Sequence, residues 1–460
     1  MKIAWSEKSL LWLVAIGFFM QTLDATVVNT ALPAMAQSLR ESPLQMQSVI
    51  IAYSLAMAML IPLSGWLADR MGTRTTYVGA ILVFVTGSVL CALSTSLYLL
   101  VLARVIQGAG GAMLMPVGRL AVLRAFPPPR FLAAMSFVTV PGLVGPLLGP
   151  TLGGWLTQVA SWHWIFWINL PIGILGVWVA LRAMPNTRLS EKEPFDTAGY
   201  FWVATGMASC SLAFEGLSEL KLPSSWVWSL FTVGFGSLVI YARHATHAPR
   251  PLFSPAILRV PSFAIGLLGN AFSRLGNGGM PFLLPLLLQV SLGYSPTQSG
   301  MSLIPVALAA MVAKRWIPRL IGRFGYRQVL IFNTLALGLG IASFALVTPE
   351  QPLALRILQL AFYGAANSLQ FSSMNTVVLR DLTPAQGSEG NTLLSMAQML
   401  AMGLGTAVMG ALLSGFRLSF ASTPSHSVLA AFHATFICAG LLTALSALIF
   451  ARLVDNKSLG

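Results

Sequence analysis

Charge is what this chain has least of. Only 9% of its 460 residues are Asp, Glu, Lys or Arg, against roughly 25% in a soluble domain. The two or three soluble domains that the length would allow are therefore excluded. Acids are scarcer than bases, 13 against 27. Cysteine is almost missing: Cys91, Cys210 and Cys438 lie in apolar stretches at no metal-ligand spacing. They read as inert small hydrophobes, so neither a disulfide framework nor a metal site is expected. Long loops are missing too. The longest, 184–196 and 244–261, are too short to fold alone, which argues against an enzyme domain tethered to a membrane. G-x-S-x-G, H-E-x-x-H and phosphate-loop patterns are absent and the five histidines are scattered, so no enzyme chemistry is expected.

What the chain has in excess is apolar length. It is 56% hydrophobic, and apolar windows of about 20 residues, each enough to cross about 30 Å of hydrocarbon as a helix, recur to the C-terminus. Fourteen spans are expected: 9–32, 45–67, 76–94, 97–120, 131–157, 162–183, 197–217, 225–243, 262–290, 298–318, 328–347, 353–377, 388–414 and 429–452. The reading is an all-α polytopic membrane protein. The first segment is too long for a signal peptide and lacks a small-residue cleavage site, so it is expected to stay as the first span. A net charge of +14 raises nucleic acid as a partner, but the distribution of that charge answers otherwise. With the N-terminus in the cytoplasm, 21 of the 27 Lys and Arg fall in cytoplasmic ends and loops, and only Arg40, Lys221, Arg356 and Arg417 lie on the other side. This is the positive-inside pattern, with N- and C-termini cytoplasmic. The basic balance records topology and contact with anionic lipid, and no nucleic acid is implied.

The spans group as six, a pair, and six more: 1–183 as an N-terminal six-helix bundle, 184–261 as a linker with two extra transmembrane helices, and 262–460 as a C-terminal six-helix bundle. A short internal repeat supports the division. Arg70-Met71-Gly72-Thr73-Arg74 and Arg323-Phe324-Gly325-Tyr326-Arg327 match at Arg, Gly and Arg with a constant offset of 253. Parallel six-helix repeats mark a class of secondary transporters whose site lies between the halves near the midplane. Asp69 has no counterpart in the second copy.

Asp24 is a lone carboxylate in the first span, where an acid costs about 3 kcal/mol and marks a functional site by default. The bland alternative is an N-cap or a surface acid. In span four, Arg104 and Gln107 of Arg104-Val105-Ile106-Gln107-Gly108-Ala109-Gly110-Gly111 stand three apart on one face; the alternative for Arg104 is snorkelling to the interface. Helical rise places Asp24 about 11–13 Å and Arg104 about 10 Å from the same membrane face, so the two depths permit a pair. A nearby guanidinium favours the carboxylate and desolvation favours the acid, which fits Asp24 to carry protons and Arg104 to tune it. Polar faces recur as Gln21 with Asp24 in span one, Asn270, Arg274 and Asn277 in span nine, and Asn367 with Gln370 in span twelve. Ordinary hydrogen bonding between helices is the alternative reading of each. Met113, Met115 and Met374 read as packing. At the turn after span two, Asp69 flanked by Arg70 and Arg74 reads as a conformational latch made of charge-assisted bonds. In span five, Gly142, Gly145, Gly149 and Gly153 share a face suited to close packing, and Pro146 and Pro150 add a bend usable in gating.

The segments GWLADRMGTR, RVIQGAGGA and GPLLGPTLGG, in this order, resemble the loop 2–3, span-four and span-five antiporter signatures of the major facilitator superfamily. LDATVVNTALP together with WIFWINLPIG narrows the resemblance to its fourteen-span drug:proton antiporters. The resemblance implies a major facilitator fold, two six-helix bundles plus two inserted helices, with spans one, four, nine and twelve lining the cavity, where Gln21, Gln107, Asn270, Arg274, Asn277, Asn367 and Gln370 are expected to bind the substrate. It implies proton-coupled efflux of small molecules by alternating access across a bacterial inner membrane. A monomer in the lipid bilayer is expected, with its substrate and protons as partners and no cofactor beyond the proton gradient. Arg104, Arg274 and Asp24 leave one excess positive charge in such a cavity, which favours a neutral or anionic cargo over a cationic drug. Drug-like compounds, small organic anions and a carboxylate–metal chelate all remain open, as do an uptake carrier and a non-transporting receptor.

Overall fold

The computed structural model describes residues 5–41, 45–188, 194–218, 222–383, 386–420 and 427–453, and among these no strand occurs. Fourteen helical segments follow one another, in step with the expected spans. The first eight are α1 (Trp5–Leu39), α2 (Gln47–Met71), α3 (Thr73–Ala92), α4 (Leu97–Ala125), α5 (Pro128–Val159), α6 (Trp164–Ala183), α7 (Thr197–Ser218) and α8 (Ser224–His247). Then come α9 (Pro261–Asn277, continued by Met280–Leu286), α10 (Pro296–Ser302 and Ile304–Ala313), α11 (Ile317–Leu346), α12 (Leu353–Leu379), α13 (Gly387–Ser419) and α14 (Val428–Phe450). Among the described residues, nine of these helices are long and apolar enough to cross a membrane unaided. Others, such as α10 and α12, are broken or more polar.

Burial is inverted relative to a soluble protein. Phe332 and Leu339 are about 70% exposed, whereas Asp24 and Arg104 are 1% exposed. An apolar exterior of this extent is stable only against hydrocarbon.

The chain forms two compact units, Met1–Arg259 with Leu382–Met396, and Val260–Asp381 with Ala397–Gly460. The inserted pair α7 and α8 belongs to the first unit, where α7 packs on α2 and the Tyr200 hydroxyl donates to the Met59 carbonyl at 3.1 Å. In the first unit α4 packs on α1, α2 and α3, and α6 on α1 and α3. In the second unit α12 packs on α9, α10 and α11, and α14 on α9 and α11. Shifting each helix number by eight converts one set of contacts into the other. The backbone repeats as well: Gly72 and Gly325, the glycines paired in the sequence repeat, both take positive φ, 96° and 77°, a conformation that other residues resist.

Helix α5 lies along α1 through its glycine face. A methyl group at Gly145, Gly149 or Gly153 would overlap the hydroxyl of Thr22, Thr26 or Thr30 in turn. The backbone of α5 is helical through positions 146 and 150, while the side chains of Pro146 and Pro150 lie outside the described residues. Valine at Gly149 is expected to lower stability by about 1–3 kcal/mol, the usual cost of overpacking. Thermal unfolding of the purified protein would measure this; an unchanged midpoint would show that the two helices separate freely.

Helix α9 differs from the single expected span. It stops at Asn277, turns at Gly278–Gly279, resumes at Met280 and ends in a π-helical turn, Leu287–Ser291. Interrupted membrane helices are tolerated where freed backbone is sheltered by protein or lines a cavity, and π turns concentrate at functional sites.

Candidate functional site

Two buried polar centres stand out, one in each unit. The first is built around Asp24. Arg104 Nη1 donates to Asp24 Oδ2 at 2.7 Å and to Gln107 Oε1 at 2.7 Å. Gln107 Nε2 donates to Asp24 Oδ1 at 2.8 Å, and Asn169 Nδ2 reaches the same oxygen at 3.3 Å and Ser88 Oγ at 2.9 Å. Arg104 Nε donates to the Val49 carbonyl at 3.2 Å, and the guanidinium lies 4.1 Å from the centroid of the Tyr53 ring. Five helices, α1, α2, α3, α4 and α6, thus converge on one carboxylate. The glycines after Gln107 make that convergence possible, since a methyl at Gly108 or Gly110 would strike the Tyr53 carbonyl or the Phe84 backbone.

The structure joins Asp24 and Arg104, but it rearranges their neighbours. Gln21, expected beside Asp24 on its own helix, does not bond it; its Oε1 is buried without a partner. Gln107 is held in the acid's network instead of standing open to a ligand. Cys91 touches the centre too, its thiol 3.6 Å from Gln107 Oε1. Asn169 belongs to the quoted WIFWINLPIG segment, so its signal was present in the sequence. Ser88 and Tyr53 gave none, because a lone hydroxyl or phenol in an apolar span is unremarkable.

The second centre lies on α9 and α12. Arg274 Nε donates to Asn270 Oδ1 at 2.8 Å and its guanidinium lies 4.9 Å from the centroid of the Phe371 ring. Asn270 Nδ2 bonds Asn375 Oδ1 at 3.4 Å, an oxygen that Gln398 also donates to. One turn on, Asn277 Nδ2 donates to Asn367 Oδ1 at 2.7 Å, and Tyr363 donates to Asn277 Oδ1 at 2.9 Å. Gln370 turns away to α11, accepting from Asn333 at 2.8 Å and donating to Thr334 at 2.7 Å. Met113 and Met374 are buried packing, and Met115 is half-buried.

Arg274 carries a buried charge with no carboxylate bonded to it among the described residues. It is 6% exposed, and its Nη2 has no hydrogen-bond partner. The acids described in its unit, Glu350 and Asp381, are both exposed on the surface. Arg104 has a carboxylate, whereas Arg274 shares its buried environment with amides and an aromatic ring.

At the α2–α3 turn, Asp69 accepts from Arg124 at the end of α4 and from Ser388 at the start of α13. Its sequence neighbours point elsewhere: Arg70 lies over Trp66 at 5.2 Å and Arg74 donates to the Met184 carbonyl at 2.6 Å. Residues adjacent in a helix do not share a face, so the acid's cation comes from another helix. Nearby, Asp196 ties the inserted pair to the loop after it, accepting from His244, Gly199 N–H and Leu252 N–H. Burial alone would raise the Asp196 carboxyl, but these hydrogen bonds outweigh it and hold its pKa below the ordinary value.

Repeated helical packing, an apolar exterior and charged groups sealed inside each unit define an integral-membrane carrier. The Major Facilitator Superfamily model matches residues 14–406. The chain belongs to that superfamily and is a transporter, not an enzyme. It is 46% identical over 442 residues to the "Putative multidrug resistance protein MdtD" of Pectobacterium atrosepticum, covering 96% of this chain and 95% of the relative. The like-named protein of Cronobacter sakazakii is 46% identical over 451 residues, covering 97% and 95%. Among solved structures, the human organic anion transporter MFSD10 (TETRAN) aligns with a TM-score of 0.66 at 16% identity, covering 96% of this chain and 99% of that one. The proton:xylose symporter XylE aligns with a TM-score of 0.65 at 14% identity, covering 98% and 96%. At such identities these two establish the fold alone.

Proposed function

We propose that this transporter exports small molecules in exchange for protons, that Asp24 carries the proton with Arg104 as its counter-ion, and that Arg274 receives an anionic group of the cargo. The observation that supports the reading is the contrast between Arg104, which is bonded to a carboxylate, and Arg274, which is buried beside an amide and an aromatic ring. A buried ion pair deprived of one charge is destabilised by about 3–5 kcal/mol. Protonating Asp24 therefore frees Arg104 and forces its network of five helices to rearrange. That makes the centre a two-state element biased by a proton, which is what coupling requires. In the cycle, a proton arriving from outside releases cargo outward, and its loss to the cytoplasm resets the carrier.

The buried guanidinium of Arg274 supports a carboxylate-bearing cargo, since a carboxylate supplies the negative charge that its described partners lack. The names of the relatives support a second reading, in which the cargo is a broad set of drug-like compounds. Proteoliposomes carrying a pH gradient, loaded in turn with cationic dyes, neutral lipophiles and small carboxylates, separate the two. Proton movement with carboxylates alone is the expected result. Movement with cationic dyes and none with carboxylates would favour the second reading, and no cargo-dependent proton movement would refute both.

A further inference from the structure

A groove on the outer face of the first unit has no part in either centre. It occupies about 930 Å³ between α1 and α6, with Tyr77 and Ile81 of α3 lining it as well. Trp12 and Ile16 of α1 and Leu175 and Trp178 of α6 line it while being 39–55% exposed. Glycines let both walls settle close to α3: a methyl at Gly17 would overlap the Tyr77 hydroxyl, and one at Gly173 would overlap Val85.

We propose that this groove binds one anionic phospholipid, an acyl chain in the slot and the headgroup between Lys8 and Arg182. Length is the first argument. From Lys8 to Met20 the α1 wall rises about 18 Å at 1.5 Å per residue, close to the roughly 15 Å of one leaflet in a 30 Å hydrocarbon core. A slot one leaflet long fits a lipid tail. Charge is the second. Lys8 on α1 and Arg182 on α6 are the charged residues lining the groove, and both stand at the same end. Arg182 is laid over the Trp178 ring at 4.3 Å, which aims it along the wall. No carboxylate lines the groove among the described residues, and the adjacent Glu7 is paired with Arg130 at 2.6 Å. Beyond the mouth the lining is almost wholly apolar, so a water-soluble cargo has no polar groups to hold it there, whereas a lipid needs none. The site stands independently of the transported cargo.

The test uses the full chain in bilayers of equal phosphatidylglycerol and phosphatidylcholine, followed by mild extraction and mass spectrometry of the lipid retained on the intact protein. One retained phosphatidylglycerol is expected, preferred over phosphatidylcholine by about thirty-fold, the combined effect of two interfacial cations. Lys8→Gln with Arg182→Gln, both at exposed positions, is expected to reduce that preference to near unity. Gly176→Phe should remove the bound lipid of either kind while leaving the unfolding midpoint in place. A Cβ at Gly176 meets only Ile81 Cδ1 at 3.4 Å and Leu13 Cδ1 at 3.9 Å, both ordinary contacts. Equal retention of the two lipids by the unaltered protein would overturn the proposal. So would a phosphatidylglycerol preference that survives the double charge variant, whatever the fate of Gly176→Phe.

Discussion

Asparagine in place of Asp24 is expected to reduce proton-driven efflux to background while leaving cargo-for-cargo exchange measurable. The substitution keeps the shape of the side chain and an oxygen for Arg104, but it cannot take up or release a proton. Net efflux needs the unloaded carrier to return with a proton, whereas exchange returns it with cargo. The variant is also expected to be less stable, by up to about 3–5 kcal/mol, because Arg104 is left charged and buried without a counter-ion. Combining it with Arg104→Gln removes both charges and should recover most of that stability without recovering efflux. Proteoliposome transport and thermal unfolding, run on the same preparations, separate these effects. Retained proton-driven efflux in Asp24→Asn would remove the acid from the coupling step.

Arg274→Met is expected to weaken carboxylate binding by about 10- to 150-fold, the range set by one hydrogen bond to a charged group at about 1.5–3 kcal/mol. Its stability should hold or rise. An arginine sealed among Asn270, Phe371 and apolar neighbours bears desolvation with no carboxylate to offset it, and an apolar side chain of similar volume bears none. Function lost while stability holds is the pattern of a residue kept for its ligand. Calorimetric binding of a small carboxylate, beside thermal unfolding, gives both readings. Unchanged carboxylate affinity would leave the anion reading without its site. A large fall in stability would make Arg274 a structural residue.

The fold is legible because membrane helices are written in composition: among the described residues, the expected apolar windows coincide with helices in the same order. The repeat was legible through two glycines that the backbone then placed at positive φ. The break in α9 was not, because Gly278 and Gly279 followed by Pro281 sit inside a window whose mean hydropathy conceals a turn. Helical spacing put Asp24 and Arg104 at matching depth, and the pair formed at 2.7 Å. Spacing on one helix misjudged Gln21, since a buried acid takes its donors from whichever helices approach it most closely. Here those are α4 and α6, which supply Arg104, Gln107 and Asn169. The same reason gives Asp69 its partner in Arg124 rather than in the adjacent Arg70. Contacts between helices distant in sequence are the part that periodicity does not encode.

In the proposed cycle, cargo and proton act against each other through Asp24. If so, each weakens the other's binding by the same factor. Adding a carboxylate cargo to the purified protein in weakly buffered solution should release protons, and its affinity should fall as the pH is lowered. Asp24→Asn, fixed in the neutral form, should bind the cargo with the weak affinity of the protonated protein, with no proton release and no pH dependence. Proton release of the same size from Asp24→Asn would contradict the account.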